Sequence, residues 1–410
     1  MIRAMEGIRI LEVAEHTFVP AAAGILADWG ADVIKIEHAV RGDAMRGLAS
    51  TGMLNLGEGN VHVLHEHANR GKRSLGLDLS TPEGLDILYK LAASSDVFLT
   101  NKLPHVRSKL SIDVDDVRAH NPDIVYVRGS GFGSKGPDAD QGGYDGLGYW
   151  ARSGLAMGGT AREFEHYQLT GMPGPAYGDS IGAMTIAGGI CAALLHRALT
   201  GETSEVDISL LSAGIWAFGS GIALSLQLGS PWRHVAQVNP HLRNPLAKPY
   251  QTSDGRWIAV SCLQGYHYWP DWCRVIGRLD LVDDERFNSV EKLSANAWEA
   301  AQIVDEVFAT ATLVEWVTRL AGFSGQWAVA QTSLELIDDE MVKANGYILE
   351  SQTKDGTKFP LVATPVQFGG EPSPPQRAPE FNEHGDDILT NDLGLDWDTV
   401  IDLKVKGVVA

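Results

Sequence analysis

Through residues 8–130 short apolar strands alternate with helices, and no other feature of the sequence limits the fold as tightly. Ile8–Val13 reads as a strand, Pro20–Trp29 as a helix stopped by Gly30, and Asp32–Ile36 as a second strand. Ser74–Leu79 alternates like a third. Thr81-Pro82-Glu83 then opens a helix that runs to about Ala93. Thr accepts from free N–H groups, Pro has no N–H to lose at the first helical position, and Glu meets the positive helix end. Val97–Thr100 and Ile124–Val127 are strands on either side of a helix over Val114–His120. This alternation predicts an α/β fold, with a parallel sheet covered by helices.

From Gly129 to Gly189 the chain is glycine-rich, which suits close backbone approach or positive φ. Ile181–Leu199 is an apolar helix ending at Gly201, and Val206–Leu211 returns to strand character. Ile208–Leu228 carries no formal charge over a length that could span a membrane. Five Ser and Gln residues and three glycines interrupt it, so a buried helix or a subunit-interface helix is expected instead of an inserted span. Gly229-Ser-Pro-Trp and the steps Asn239-Pro, Asn244-Pro and Lys248-Pro read as a linker. Beyond it, Tyr250–Val260 predicts a hairpin turning at Asp254-Gly255, followed by Trp-rich helices at Trp269, Trp272, Trp298 and Trp316. A Pro-rich coil over 369–378 leads to an acidic tail. A chain of 410 residues has room for two domains.

Charge narrows the partners. Lys and Arg number 33 against 52 Asp and Glu, a net of −19, which opposes binding to nucleic acid or anionic lipid. An anionic small ligand remains compatible if basic residues cluster locally. Two clusters do: Arg70, Lys72 and Arg73, and Lys102, Arg107 and Lys109. Both are expected at strand ends, where open α/β sheets bind ligands, and together they suit a phosphate-bearing one. Three cysteines are too few for a disulfide framework. With no secretory signal in MIRAMEGIRILEVAE, the expected location is cytoplasmic.

Gly131-Phe-Gly-Ser-Lys-Gly136 matches G-x-G-x-x-G, but loop follows it where a dinucleotide site needs a helix, so a glycine loop over some other ligand is expected. His62, His65 and His67 lack the H-E-x-x-H spacing and read as a solvated or lid loop, with no metal site expected. Gly71-Lys72 lacks the rest of a P-loop. The sharpest local signal is Gly178-Asp179-Ser180 directly before an apolar helix. It reads either as a plain helix cap or as an approachable carboxylate that the helix dipole keeps ionised.

Several motifs then join in order: EGIRILEVA, LADWGADVIKIEH, Gly42–Gly47 (GDAMRG), NRGKRSLGLDL, the TPEG helix, GFGSKGP, YGDSIGAM with LLHRALTG, and a closing HGDDIL, LGL and GVV. In this combination the whole chain resembles the class III CoA-transferases, the group of formyl-CoA and carnitine-CoA transferases. The resemblance implies a Rossmann-like large domain built from both chain ends (1–228 and 345–410). Linkers and a small α+β domain over 229–344 are inserted in it, and two subunits interlock as a homodimer. It implies acyl-CoA and a carboxylic acid as substrates, with no permanently bound cofactor.

By the same resemblance Asp179 is the nucleophile. It would attack the donor thioester to give a mixed anhydride; CoA thiolate then gives an aspartyl-CoA thioester, from which the acceptor acid takes CoA. The Gly131–Gly136 loop would hold the developing oxyanion. CoA contacts carry over to His38, in the place of a basic residue, and to Leu77 and Asn101, as backbone-side contacts to pantetheine and adenine. Lys109 stands where the family has a phosphate-binding Arg, and Lys102 where an aromatic is common. Arg46 and Arg73 are further phosphate candidates. His16, Thr17 and Phe18 occupy the region of a Gln-Ala pair beside the nucleophile. The related α-methylacyl-CoA racemases need a histidine where this chain has Tyr144, ahead of Asp145, and a phenol of pKa about 10 is a poor base at neutral pH. A non-catalytic CoA-binding paralogue is the third reading. Asn244-Pro245-Leu246 stands near a glycine lid of some members, and Trp327 is expected to shape the acyl pocket.

Overall fold

Six short strands build the main sheet, and its central members are rich in buried Val, Ile, Leu and Phe, the trait of chain covered on both faces. The six are β1 (Arg9–Val13), β2 (Asp32–Glu37), β3 (Arg73–Gly76), β4 (Val97–Thr100), β5 (Val125–Ser130) and β6 (Glu205–Ser209). All neighbours pair in parallel, in the order β3-β2-β1-β4-β5-β6. The order reverses between β1 and β4, and open α/β sheets bind ligands at such a switch point, beyond the carboxyl ends of the strands. The computed structural model that gives this architecture describes residues 2–48, 61–161, 168–233 and 241–410.

Alternate strand residues feed two cores, as the two-residue period of a strand requires. Ile10, Val33, Val97 and Val125 face a layer with α1 (Phe18–Asp28) and α7 (Tyr177–Thr200). Leu11, Ile34, Phe98 and Tyr126 face α3 (Pro82–Ala93) and, from the far end of the chain, Leu403 on the helix Trp397–Val405 and Val409. Between these elements lie α2 (Val63–Asn69), α4 (Pro104–Lys109), α5 (Val114–Arg118) and the single turn α6 (Leu155–Gly158). Thr81 caps α3 by accepting from Gly84 N at 3.1 Å, as its sequence predicts.

The chain divides into two compact units. One comprises Met1–Thr160, Gln168–His234 and Glu340–Ala410; the other comprises Ala161–Tyr167 and Val235–Asp339. The second contains an antiparallel sheet of β7 (Pro249–Gln251), β8 (Trp257–Val260) and β9 (Trp327–Val329), turning at Gly255 with φ 77°. Trp269, Trp272 and Trp316 are fully buried in its core with Phe308 and Tyr250. Trp327 packs against that same core from β9, so within its own unit it has a packing role.

One sequence expectation fails. Residues 208–228 do not form one buried helix. Ile208 and Ser209 end β6, and two helices follow, α8 (Leu210–Ala217) and α9 (Gly219–Leu228), bent by 66° at Phe218. The Phe218 ring packs where Cβ atoms at Gly158 and Gly221 would sit, 2.5 and 2.3 Å away. No residue of α9 is buried in the single chain. Among the described residues α7, and α8 with α9 if the bent pair is taken as one span, are long and apolar enough to cross a membrane, but Ala183, Ile186, Ala187 and Ile190 of α7 belong to the core under the sheet.

Candidate active site

Two helix starts meet at one corner of the sheet. A Cβ at Gly182 would lie 2.3 Å from the Phe18 ring, so only glycine lets α1 press this close to α7. Gly178 does the same for Tyr149, 2.5 Å from a Cβ built there. Asp179 stands between these contacts, in the first turn of α7. The helix is capped by Ala176, so the Asp179 carboxyl is not spent as a cap. On both approaches a non-glycine residue holds left-handed backbone, His16 at φ 68° and Ala176 at φ 56°. Such conformations persist only where neighbours enforce them.

A second carboxyl lies beside Asp179. Asp145 Oδ1 accepts from Gly146 N at 2.8 Å, and the N–H groups of Gly178 and Asp179 face the same carboxyl. Burial pushes Asp179 up to about 8, and the charge of Asp145 adds to the shift. This corrects the sequence expectation that the helix dipole keeps Asp179 ionised: burial beside another acid outweighs it and favours the protonated carboxyl. The Tyr144 ring meets His16 edge-on at 5.5 Å. Thr17 is buried behind them and makes no capping bond to α1. The Gly131–Gly136 loop serves as support: Gly131 lies against Gly143, 2.8 Å from a Cβ position, and Gly133 N donates to Ser130 Oγ.

The histidine run is also corrected. Residues 63–69 form α2, and His65 is buried, its pKa pushed down to about 3 by burial. His67 Nε2 lies 3.5 Å from Ser180 Oγ, and its Nδ1 lies 2.9 Å from Arg70. Burial and the Arg70 charge hold His67 down at about 4, so both rings are neutral. Among the described residues no group of three His, Cys, Asp or Glu is placed to hold a metal ion.

Next to this corner, a cleft of about 400 Å³ opens at the carboxyl ends of β1 to β4. It gathers His38, Leu77, Lys102 and Lys109 of the expected residues. Asn101 lies behind it, and its carboxamide bonds both N–H and C=O of Glu15, at 3.2 and 2.7 Å. Lys102 pairs with Glu15 at 2.9 Å. Arg41 and His105 also line the cleft and were not foreseen, because no local pattern marks either one. Arg41 and Lys109 have no ion-pair partner among the described residues.

The other basic cluster does not belong here. Arg73 opens β3 at the amino end of the sheet, bound to Asp32 and Asp392 at 2.7 and 2.8 Å. Lys72 is buried on Glu12, and Arg70 spans Asp28 and Val362 O. Arg46 is committed to both Glu37 oxygens at 2.7 and 2.8 Å and to Pro379 O. None of these cations is free for a phosphate.

The sequence matches the family described as CoA-transferase family III over residues 5–385. The chain belongs to this family. This class III CoA-transferase is 29% identical over 406 residues to an (R)-2-hydroxy-4-methylpentanoate CoA-transferase of Clostridioides difficile, covering 99% of both chains. It is 31% identical over 387 residues to a cinnamoyl-CoA:phenyllactate CoA-transferase of Clostridium sporogenes, covering 93% of this chain and 92% of that one. Its structure resembles the crystal structure of a CAIB/BAIF family protein from Brucella suis, with a TM-score of 0.78, 25% identity, and coverage of 96% and 99%. The transferase is thus an enzyme acting on acyl-CoA and carboxylate substrates, on a mixed α/β fold with a six-stranded parallel sheet.

Proposed function

We propose that this CoA-transferase moves CoA from a donor acyl-CoA to an acceptor acid through covalent intermediates on Asp179. The observation that carries this reading is the half-buried, uncapped carboxyl of Asp179, set between Gly178 and Gly182 and next to a cleft with two uncommitted cations. Arg41 and Lys109 suit the CoA phosphates, and His38 and Leu77 line the same cleft. An ionised Asp179 oxygen attacks the thioester carbonyl, the C–S bond breaks, and CoA thiolate leaves as the anhydride forms. Thiolate then attacks the aspartyl carbonyl, expelling the acyl group as carboxylate and leaving aspartyl-CoA. The acceptor carboxylate repeats the exchange in reverse. Burial raises the pKa of the nucleophile and the Asp145 charge adds to the shift, so attack begins only once the proton has left Asp179.

The acceptor fits a monocarboxylic acid with an apolar side chain. Phe18 and Tyr149 pack on the glycines that flank Asp179, and Tyr144 and Tyr177 pack on His16 and Tyr149; these aromatic surroundings suit an apolar substituent, and the neighbouring Asp145 disfavours a second carboxylate. The two relatives named above act on 2-hydroxy acids of this type. A panel of monocarboxylic and dicarboxylic acids assayed for CoA acceptance tests this; preference for a dicarboxylate contradicts it. Exposed Trp216, Leu226 and Leu228 on α8 and α9 support an interlocked homodimer, to be checked by light scattering. The racemase reading has one observation in its favour, the His16 imidazole against Tyr144. It predicts α-deuterium exchange in a 2-methylacyl-CoA without acceptor; absence of exchange removes it.

A further inference from the structure

The loop from β1 to α1, where dinucleotide-binding sheets carry their glycines, reads Ala14-Glu15-His16-Thr17 here and contains no glycine. Side chains from three other segments hold it residue by residue. Lys35 on β2 donates to Ala14 O at 2.9 Å. Asn101 after β4 bonds Glu15 on both sides. Asp43, after β2, accepts from His16 N at 3.0 Å with Oδ1, which also accepts from Met45 N at 2.8 Å. His16 is the residue at φ 68°.

Asp43 is 1% exposed and is itself fixed by buried charge. Its Oδ2 lies 2.7 Å from Lys35 Nζ, and Lys35 is shared with Glu12 at 2.8 Å. Glu12 also binds Lys72 at 2.6 Å. Asp43 N donates to Glu37 Oε2 at 2.8 Å, and Glu37 in turn holds Arg46 and Ser74. Three acids and three bases are thus packed under one loop. Buried ion pairs of this kind are seldom better for stability than apolar residues of equal volume. What this one supplies is a fixed acceptor under a strained residue whose ring braces Tyr144, next to Asp145 and Asp179.

We propose that Asp43 is a positioning residue for the transferase, holding His16 in left-handed backbone so that the His16–Tyr144 contact frames the Asp179 corner. The proposal rests on the reading of Asp179 as nucleophile. Misplacement of a catalytic corner by about 1 Å costs on the order of a hundredfold in rate.

The test compares two double variants that lose the same ion pair. Asp43→Asn with Lys35→Met keeps an oxygen for His16 N; Asp43→Leu with Lys35→Met does not. Folding is checked by thermal melting, and wild-type enzyme is first shown to form a CoA adduct with acyl-CoA. Without that adduct the nucleophile reading fails, whatever the variants do. With it, the asparagine double is expected within about fivefold of wild-type kcat, since Asn keeps the acceptor for His16 N and Lys35→Met removes the charge that faced Asp43. The leucine double is expected to lose kcat by roughly fiftyfold or more, with KM for acyl-CoA within about twofold. If it does not fold, Asp43→Ala in the Lys35→Met background replaces it, with the same expectation. Equal kcat for the two doubles, loss confined to KM, or a hundredfold loss in the asparagine double overturns the proposal.

Discussion

The two ends of the parallel sheet carry similar numbers of basic residues and use them in opposite ways. At the amino end Arg73 and Arg9 are locked onto Asp32 and Asp392. At the carboxyl end Arg41 and Lys109 face an open cleft without partners among the described residues. A cation in the sequence is therefore not yet a cation for a ligand. What decides is which strand end it occupies and whether an acid from elsewhere in the chain has already taken it.

The comparison can be broken most sharply at the carboxyl end. Asp179→Asn is expected to lower CoA transfer by at least roughly a thousandfold in a steady-state assay while the protein stays folded. Next, Arg41→Ala with Lys109→Ala is expected to raise KM for acyl-CoA about tenfold with kcat kept, an effect that shrinks as salt rises. An unchanged KM would mean that the cleft is not where the phosphates sit. The pH profile sharpens the same end. Because burial and Asp145 raise Asp179 to about 8, the nucleophilic form appears only as pH rises through that value. kcat/KM is expected to climb about tenfold between pH 7 and 9 and then level. Asp145→Asn should move the rise to lower pH by removing a like charge. The smallest effect belongs to the amino end. Arg73→Ala is expected to cost roughly 1–2 kcal/mol in chemical denaturation, since its charged bonds are partly screened, and to leave KM for acyl-CoA unchanged.

This contrast also separates what was legible in the sequence from what was not. The strands were legible because parallel, doubly covered strands read as apolar runs, and Asp179 because glycines flank it at a helix start. The fate of the cations was not, since their partners are remote: Asp392 lies 319 positions from Arg73, and Pro379 lies 333 from Arg46. The raised pKa of Asp179 comes from burial and from Asp145, and both reach it through folding alone. The Trp-rich helices of the second unit were legible, but not that three of their tryptophans fill its core. One signal was available and unused. Glu12 and Lys35 sit inside otherwise apolar strands, and a charge in a doubly covered strand implies a buried partner. Those two residues are the floor of the network under His16.

The central claim is that Asp179 carries CoA covalently, and intact-mass spectrometry of the enzyme after incubation with acyl-CoA, followed by peptide mapping, tests it most directly. The account predicts an added CoA mass that maps to the peptide containing Asp179 and disappears when an acceptor acid is supplied. Turnover without any adduct on Asp179, or an adduct on another residue, would contradict it.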